Sequence, residues 1–329
     1  MTQHTRREGS IVGVDIGGTK VAAGLVDRDG RILSQVRQSM AARGEPEEAL
    51  KAVTSAIDSL SNQVRGTPAA KRKFQGIGLC APGPLDPQAG VVINPPNLPC
   101  WRNFPLAAKV ADIYGVPVKL DNDANAAALA ETRWGVARGH RYVFYATIGT
   151  GIGTGIVLDG RIYHGYTGAA GEGGHMSIDY RGPICGCGKH GCIEAFAAGP
   201  AIGARTRTRL TAEQSRHPAV MLDLVQGKIE DVTSETVGRA FAAGDPLARE
   251  ILQETAGFLT AWLGNIVDLL DPDVVVMGGG VAAMLGSFFD EIRHGLRQWC
   301  VNPGASEIPL RMAHYGADAG IAGGAALCA

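Results

Sequence analysis

Residues 12–33 have the sequence VGVDIGGTKVAAGLVDRDGRIL, and residues 144–163 have the sequence FYATIGTGIGTGIVLDGRIY. Each stretch leads from an apolar segment through a glycine-rich turn into a second apolar segment, and then through Asp-Gly to Arg-Ile. Two such units about one domain length apart predict a duplicated fold. Because strand-like segments alternate with segments of helical periodicity between them, we expect layered α/β domains.

The bulk composition is that of a soluble globular protein. The chain has 329 residues, of which 45% are hydrophobic and 19% charged, and two domains are expected at this length. A formal net charge of −1 favours neither a nucleic acid nor a membrane as partner. The first residues lack the apolar core of a signal peptide, and no uncharged apolar run reaches membrane-spanning length. We therefore expect a cytoplasmic protein.

A cysteine-rich loop predicts a metal site in residues 171–194, GEGGHMSIDYRGPICGCGKHGCIE. Three cysteines and a preceding histidine are the candidate ligands: Cys185, Cys187, Cys192 and His175. Zinc prefers four such ligands in a tetrahedron, and a Cys3His set leaves no position for a catalytic water, so a structural zinc is expected. The alternatives are ordinary buried thiols or a disulfide, and His190 in place of His175.

The first glycine-rich turn contains Asp15 and then Gly17, Gly18, Thr19 and Lys20. Bare backbone amides approach an anion closely, and the hydroxyl and ammonium groups add donors, so this turn predicts a phosphate site. Asp15, at the end of the first strand, is placed to hold magnesium. A P-loop is excluded because Thr-Lys follows the second glycine and a strand follows the turn; a plain hairpin turn is the alternative.

Two further glycine motifs lie in the second half of the chain. Thr147, Gly149, Thr150 and Gly151 form a turn of bare amides that lacks the spacing of a dinucleotide fingerprint. Gly278, Gly279 and Gly280 lie between a predicted strand and a helix predicted over residues 281–296, where a nucleotide's base and ribose can rest on the backbone. Packing alone also demands glycine at such positions.

Asp123 opens a predicted helix directly after a strand. One interpretation is a helix cap, a role that Asp121 or Asn122 can serve equally. The other is a carboxylate that takes the proton from a substrate hydroxyl, with Asn122 binding a neighbouring hydroxyl. The two roles are compatible.

These motifs together resemble the ROK-family sugar kinases of the sugar kinase/Hsp70/actin superfamily, over nearly the whole chain. The resemblance rests on residues 15–20, 122–125, 171–175 and 185–194. It implies two ribonuclease-H-like (actin-like ATPase) α/β domains around a central cleft. We expect a small domain over residues 1–121, a large one over 122–315, and a C-terminal helix at about 316–329 that packs back on the small domain.

The resemblance also implies an ATP-dependent hexose 6-phosphotransferase of glycolysis, with glucose as substrate and Asp123 as catalytic base. The sugar hydroxyls would contact Gly83, Asn122, Glu172, His175 and Glu194. The two glycine turns would bind the phosphates of ATP, and residues 278–280 the adenosine. Residues 94–101 and 192–199 are similar to those of the family's glucokinases, and a homodimer is expected from the resemblance alone.

Other functions remain open at this stage. N-Acetylglucosamine and N-acetylmannosamine kinases share the sugar-contacting residues, and polyphosphate is an alternative donor to ATP. A sugar-responsive repressor is a further alternative, although only about ten residues precede the first strand, too few for a DNA-binding helix-turn-helix. A zinc hydrolase needs an open coordination position, which four protein ligands deny. A sugar-binding module without chemistry is disfavoured by Asp15, Lys20 and Asp123.

Overall fold

The structure is a computed structural model that describes residues 10–63, 74–212 and 220–329. Its strands are β1 Ile11–Ile16, β2 Lys20–Val26, β3 Ile32–Ser39, β4 Ile77–Ala81, β5 Leu85–Asp86, β6 Val91–Val92, β7 Val118–Asn122, β8 Tyr142–Ile148, β9 Ile152–Leu158, β10 Arg161–Ile162, β11 Val274–Gly278 and β12 Leu310–Met312. Its helices are α1 Pro46–Gln63, α2 Leu106–Tyr114, α3 Asp123–Arg133, α4 Glu194–Ala197, α5 Gly199–Ala212, α6 Val220–Asp223, α7 Ser234–Ala242, α8 Pro246–Leu270, α9 Gly280–Met284, α10 Phe289–Gly295 and α11 Ala319–Cys328. Among these helices, none combines the length and apolar character needed to cross a membrane.

Two five-stranded sheets repeat one strand order. The first sheet has the order β3-β2-β1-β4-β7 and the second has the order β10-β9-β8-β11-β12. In the first, β1 pairs antiparallel with β2 and parallel with β4, and β4 pairs parallel with β7. In the second, β8 pairs parallel with β11, and β11 with β12. The repeat seen in the sequence therefore corresponds to a repeat of sheet topology.

The chain divides into two compact units. The first comprises the described residues within Met1–Arg141, Gly155–Gly171 and His314–Ala329, and the second comprises those within Tyr142–Thr154 and Glu172–Ala313. The predicted division at 121/122 assigns α3 to the second domain, whereas α3 here packs along α11 and against β4 and β7 of the first unit. α11 is the C-terminal helix expected from the sequence, and it lies on β1 and β4.

In the first unit, helices cover the sheet on two sides. α1 packs on β2 and β3 and buries Val53, Ile57 and Leu60, the apolar positions that the helical period predicts. The predicted stripe also includes Val64, which lies outside the described residues. On the other side, small residues of α11 allow its backbone to touch the sheet. A Cβ atom on Gly78 would lie 1.7 Å from the carbonyl oxygen of Gly324, a distance that no side chain tolerates.

The contact between β4 and α11 generates a stability prediction. Gly78→Ala places a methyl group where it overlaps the carbonyl oxygen of Gly324 in α11. We therefore expect a loss of about 3 kcal/mol in the free energy of unfolding. Gly257→Ala is the matched control, because Gly257 is exposed within α8 and a Cβ there meets no atom within 4 Å. That change should stabilise the protein by roughly 0.5–1 kcal/mol. Urea unfolding measures both, and equal midpoints for the two variants would contradict this packing.

Candidate active site

The first cluster of predicted site residues lies at one edge of the first sheet. Parallel pairing aligns Asp15 with Cys80, and Cys80 with Asp121, across β1, β4 and β7. Asn122 ends β7 and Asp123 begins α3, so both continue from that same edge. Loops beyond the carboxyl ends of neighbouring parallel strands are where α/β folds bind ligands.

Asn122, rather than Asp121 or Asp123, is the N-cap of α3. Its Oδ1 accepts hydrogen bonds from the backbone N–H groups of Ala124 at 2.9 Å and Asn125 at 3.4 Å. Asp123 is the first residue of the helix, its side chain is exposed, and its Oδ1 accepts from the Ala124 N–H at 2.8 Å. The helix start thus presents the Asp123 carboxylate to solvent.

Asp15 at this edge has a raised pKa. Burial, and then the negative charge of Asp123, raise its pKa to about 6, against the opposing effect of Arg37. Two carboxylates that repel each other in this way form a suitable site for a divalent cation, whose preferred ligands are carboxylate oxygens and water. The residues therefore fit the magnesium expected from the sequence.

The rest of the first glycine turn joins β1 to β2. The Gly17 N–H donates to the Lys20 carbonyl at 2.9 Å and closes the hairpin, while the side chains of Thr19 and Lys20 are exposed. Gly83 follows β4. A Cβ atom on it would lie 3.9 Å from Nδ2 of Asn122, so the backbone of Gly83 faces that amide.

In the second unit, the predicted metal ligands form one cluster. One ligand atom from each of His175, Cys185, Cys187 and Cys192 lies within 4.8 Å of the others. The sulfurs of Cys187 and Cys192 are 3.7 Å apart, and Nδ1 of His175 is 3.6 Å from the sulfur of Cys185. Zinc–sulfur bonds of about 2.3 Å in a tetrahedron imply sulfur–sulfur edges of about 3.8 Å, so the cluster fits zinc.

His190 is not part of this cluster. Its Nδ1 lies 3.2 Å from the carbonyl oxygen of Gly182, within the same loop. The structure thus favours His175 over His190 as the fourth ligand.

Glu194 connects the metal cluster with the second glycine turn. Its Oε1 lies 3.5 Å from the sulfur of Cys185 and 3.9 Å from Nδ1 of His175. Its Oε2 accepts a hydrogen bond of 2.9 Å from the backbone N–H of Ile152. Glu172 is exposed at the start of the short 3₁₀ turn that carries His175, and its carbonyl accepts from the His175 N–H at 3.0 Å. Three predicted sugar contacts therefore lie on or beside the cluster.

The two glycine motifs of the second unit are neighbours at the carboxyl edge of β8 and β11. Thr147 pairs with Gly278 across these strands. Gly279 has φ of 89°, and a Cβ atom there would lie 2.3 Å from the carbonyl oxygen of Ile148, so only glycine fits. The turn itself is closed by the Gly149 N–H, which donates to the Gly151 carbonyl at 2.9 Å.

A cavity of about 960 Å³ opens beside these glycines, and Gly149, Thr150 and Gly280 are among the residues that line it. Its other walls come from α5, α7 and α9. Sequence analysis missed the contributing side chains Arg207, Arg239, Phe241 and Met284. No motif marks these residues, which lie in three separate helices and meet only in the folded chain.

Comparison with known proteins identifies the family. The model of the ROK family matches residues 11–329. A glucokinase of Streptomyces coelicolor is 35% identical over 97% of both chains, and an N-acetylmannosamine kinase of Citrobacter koseri is 33% identical over 97% of this chain and 98% of that one. A crystal structure of a ROK-family glucokinase from Streptomyces griseus, in complex with glucose and AMPPNP, matches with a TM-score of 0.80 and 35% identity, over 97% of this chain and 99% of that one.

The repeated sheets and these matches confirm the predicted fold class, that of the actin-like ATPases with ribonuclease-H-like domains. Within that class, the chain belongs to the ROK family. The resemblance to ROK-family sugar kinases, inferred from four short motifs, is therefore confirmed.

The geometry of the cysteine cluster generates a metal-binding prediction. His175→Ala removes a ligand from a tetrahedral set, so we expect zinc affinity to fall by more than about 10²-fold. His190→Ala is the matched control and should bind zinc like the unaltered protein. Competition with a chromophoric chelator measures both affinities. Loss of zinc from the His190 variant, with retention by the His175 variant, would reverse the assignment.

Proposed function

We propose that this protein transfers the γ-phosphoryl group of ATP to the 6-hydroxyl of a hexose, with glucose as the preferred substrate. The observation that carries the proposal is the pair of carboxylates at the edge of the first sheet. Asp15 is partly buried and has a raised pKa, caused in part by the charge of Asp123, which is exposed at a helix start. Phosphoryl transfer requires this combination of a cation-binding carboxylate and a base for the attacking hydroxyl.

Asp123 acts as the general base in this mechanism. Its carboxylate is held by the Ala124 N–H and accepts the proton of the 6-hydroxyl as that oxygen attacks the γ-phosphorus in line. The bond from the γ-phosphorus to the β,γ-bridging oxygen breaks, and ADP leaves with that electron pair. Asn122 uses Oδ1 to cap α3, which leaves Nδ2, on the side of Gly83, to donate to a second sugar hydroxyl.

The glycine turns and the cavity of the second unit are assigned to the nucleotide. Backbone amides of residues 17–20 and 147–151 are assigned to the phosphates, and Asp15 would hold magnesium, which would neutralise triphosphate charge. The cavity beside Gly280 includes Phe241 and Met284, which suit a purine better than a polyanion. The lining also includes Arg207 and Arg239, which suit phosphate groups, so it supports a donor that has both a base and phosphates, such as ATP.

The zinc loop is assigned to sugar binding. His175 directs Nδ1 toward the cysteine sulfurs, which leaves Nε2 to contact a sugar hydroxyl. Glu172 and Glu194 supply carboxylate acceptors for further hydroxyls. Zinc, when bound by four protein ligands, stiffens this loop and has no position for a catalytic water.

Glucose is proposed as substrate because residues 94–101 and 192–199 resemble those of glucokinases. One residue of the first motif, Trp101, has a structural role. Trp101, in the motif of residues 94–101, is fully buried, stacks on Phe104 with centroids 5.2 Å apart, and donates to the Pro46 carbonyl. It supports a loop rather than a substrate. N-Acetylmannosamine or N-acetylglucosamine is the alternative substrate, because a relative of similar identity is an N-acetylmannosamine kinase. A cytoplasmic homodimer is inferred from the resemblance to the family.

A sugar panel tests the proposed reaction. A coupled assay measures phosphorylation of glucose, mannose, fructose, N-acetylglucosamine and N-acetylmannosamine, each with ATP and with polyphosphate. We expect glucose with ATP to give the highest kcat/KM. A higher value for either acetylated hexosamine would overturn the substrate, and hexose-independent or absent ATP consumption would overturn the activity.

The role of Asp123 generates a kinetic prediction. Asp123→Asn should lower kcat by about 10²–10⁴-fold, because a carboxamide cannot accept the proton. Zinc content and glucose binding, measured by metal analysis and calorimetry, should be unchanged. Asp112→Asn, an exposed position on α2, is the matched control and should leave kcat as it is. Turnover near the normal value in the Asp123 variant would remove this residue from the mechanism.

Asp15 generates a prediction that links stability to pH. Because its pKa is raised to about 6 in the folded state, ionised Asp15 destabilises the fold above pH 6, and the penalty disappears below about pH 4. Asp15→Asn should therefore increase the free energy of unfolding by up to about 3 kcal/mol at pH 8, yet abolish kinase activity. Unfolding of both forms at pH 8 and pH 4 measures this effect. If Asp15→Asn is less stable than the unaltered protein at pH 8, then ionised Asp15 does not destabilise the fold.

A further inference from the structure

Asp121 is a buried carboxylate to which the proposed mechanism gives no task. Its side chain is only 4% exposed. Oδ1 accepts hydrogen bonds from the Asn122 N–H at 2.8 Å and from Nδ2 of Asn125 at 3.2 Å. These two donors flank Asp123 in the chain, so the Asp121 carboxylate holds the turn at the start of α3 from both sides.

The other oxygen of Asp121 is held by a histidine from a distant part of the sequence. Nε2 of His164 lies 2.7 Å from Oδ2. His164 follows β10 within the same compact unit, and its backbone carbonyl accepts a hydrogen bond of 3.1 Å from the Ala170 N–H. This second bond closes the loop of residues 164–170, which leads directly to Glu172. One residue thus joins the turn that carries Asp123 to the loop that precedes a proposed sugar contact.

We propose that His164 is a positioning residue for phosphoryl transfer: its ring fixes the Asn122–Asp123 turn through Asp121, and its backbone fixes the loop that leads to Glu172. The proposal rests on the proposed function, because it assigns a purpose to the geometry of the catalytic base. His164 needs no contact with substrate for this role.

The energetics of burial favour a strong link. A buried carboxylate is costly unless a cation or several donors compensate it. The hydrogen bond to Asp121 raises the pKa of His164, against the effect of its partial burial, so the ring tends to supply a charged donor. If that donor is lost, Asp121 must rotate toward water or other donors and take the Asn122 N–H with it. Displacing a catalytic group by about 1 Å costs on the order of 10²-fold in rate.

Two amide substitutions separate positioning from simple loss of a histidine. In His164→Gln the side-chain nitrogen occupies about the place of Nε2 and can still donate to Asp121. In His164→Asn the nitrogen corresponds to Nδ1 and cannot reach. Both variants are neutral and polar, so they differ mainly in this one contact. His294→Ala, at an exposed position on α10, is the control for the assay.

The test measures kcat, KM for glucose and KM for ATP, together with hydrogen exchange of peptides covering residues 118–126 and 163–171. We expect His164→Asn to lower kcat about tenfold or more, to leave KM for ATP unchanged, and to speed exchange in both peptides. His164→Gln should retain kcat within about threefold and keep both peptides protected.

Equal kcat values for the Gln and Asn variants would overturn the positioning role, as would unchanged exchange in the Asn variant. A protein that phosphorylates no hexose would instead refute the proposed function. That result is distinguishable, because it concerns the unaltered protein and not the difference between the two variants.

Discussion

Parallel pairing of β1, β4 and β7 is the constraint on which the acidic site depends. Because parallel strands end at the same edge, Asp15 and the Asn122–Asp123 turn are brought together although about a hundred residues separate them. The close contact of α11 with β4 then buries Asp15, and that burial is the largest cause of its raised pKa. Chain topology, packing and electrostatics thus all act on the carboxyl group of Asp15. Its raised pKa supports the proposed cation-binding role.

In the second sheet, parallel strands also end at one edge, but different residues lie there. Its equivalent strands β8 and β11 end in glycine motifs, so bare amides and an apolar cavity occupy the place that carboxylates occupy in the first sheet. The four candidate metal ligands lie outside this sheet, on the loop of residues 175–192, which a bound zinc ion would hold in place. Glu194 links that loop to the glycine turn through the Ile152 N–H. Two sheets of one strand order thus carry an acidic edge in the first unit and a glycine-rich edge beside a cavity in the second, the edge that we propose for the nucleotide.

Sequence motifs predicted the parts of the site that are local in the chain. The candidate metal ligands and the glycine turns are short patterns with a direct physical meaning, and the structure brings the four candidate ligand atoms within 4.8 Å of one another. Contacts between distant segments were not predictable: Arg207 and Arg239 enter the cavity from separate helices, and His164 reaches Asp121 across 43 residues. The helix predicted over residues 281–296 is broken, because a 3₁₀ turn at Gly286–Phe288 separates α9 from α10. Apolar spacing alone did not reveal that the regular helix ends at Met284.

The central claim is that Asp123 receives the proton of the sugar's 6-hydroxyl while the zinc loop holds the other hydroxyls. The most direct measurement is a crystal structure of this protein with glucose, magnesium and AMPPNP. The account predicts an Asp123 carboxylate oxygen within about 3 Å of the 6-hydroxyl, and His175 shared between zinc and the sugar. A 6-hydroxyl that points away from Asp123, with another side chain in hydrogen-bonding distance of it, would contradict the account.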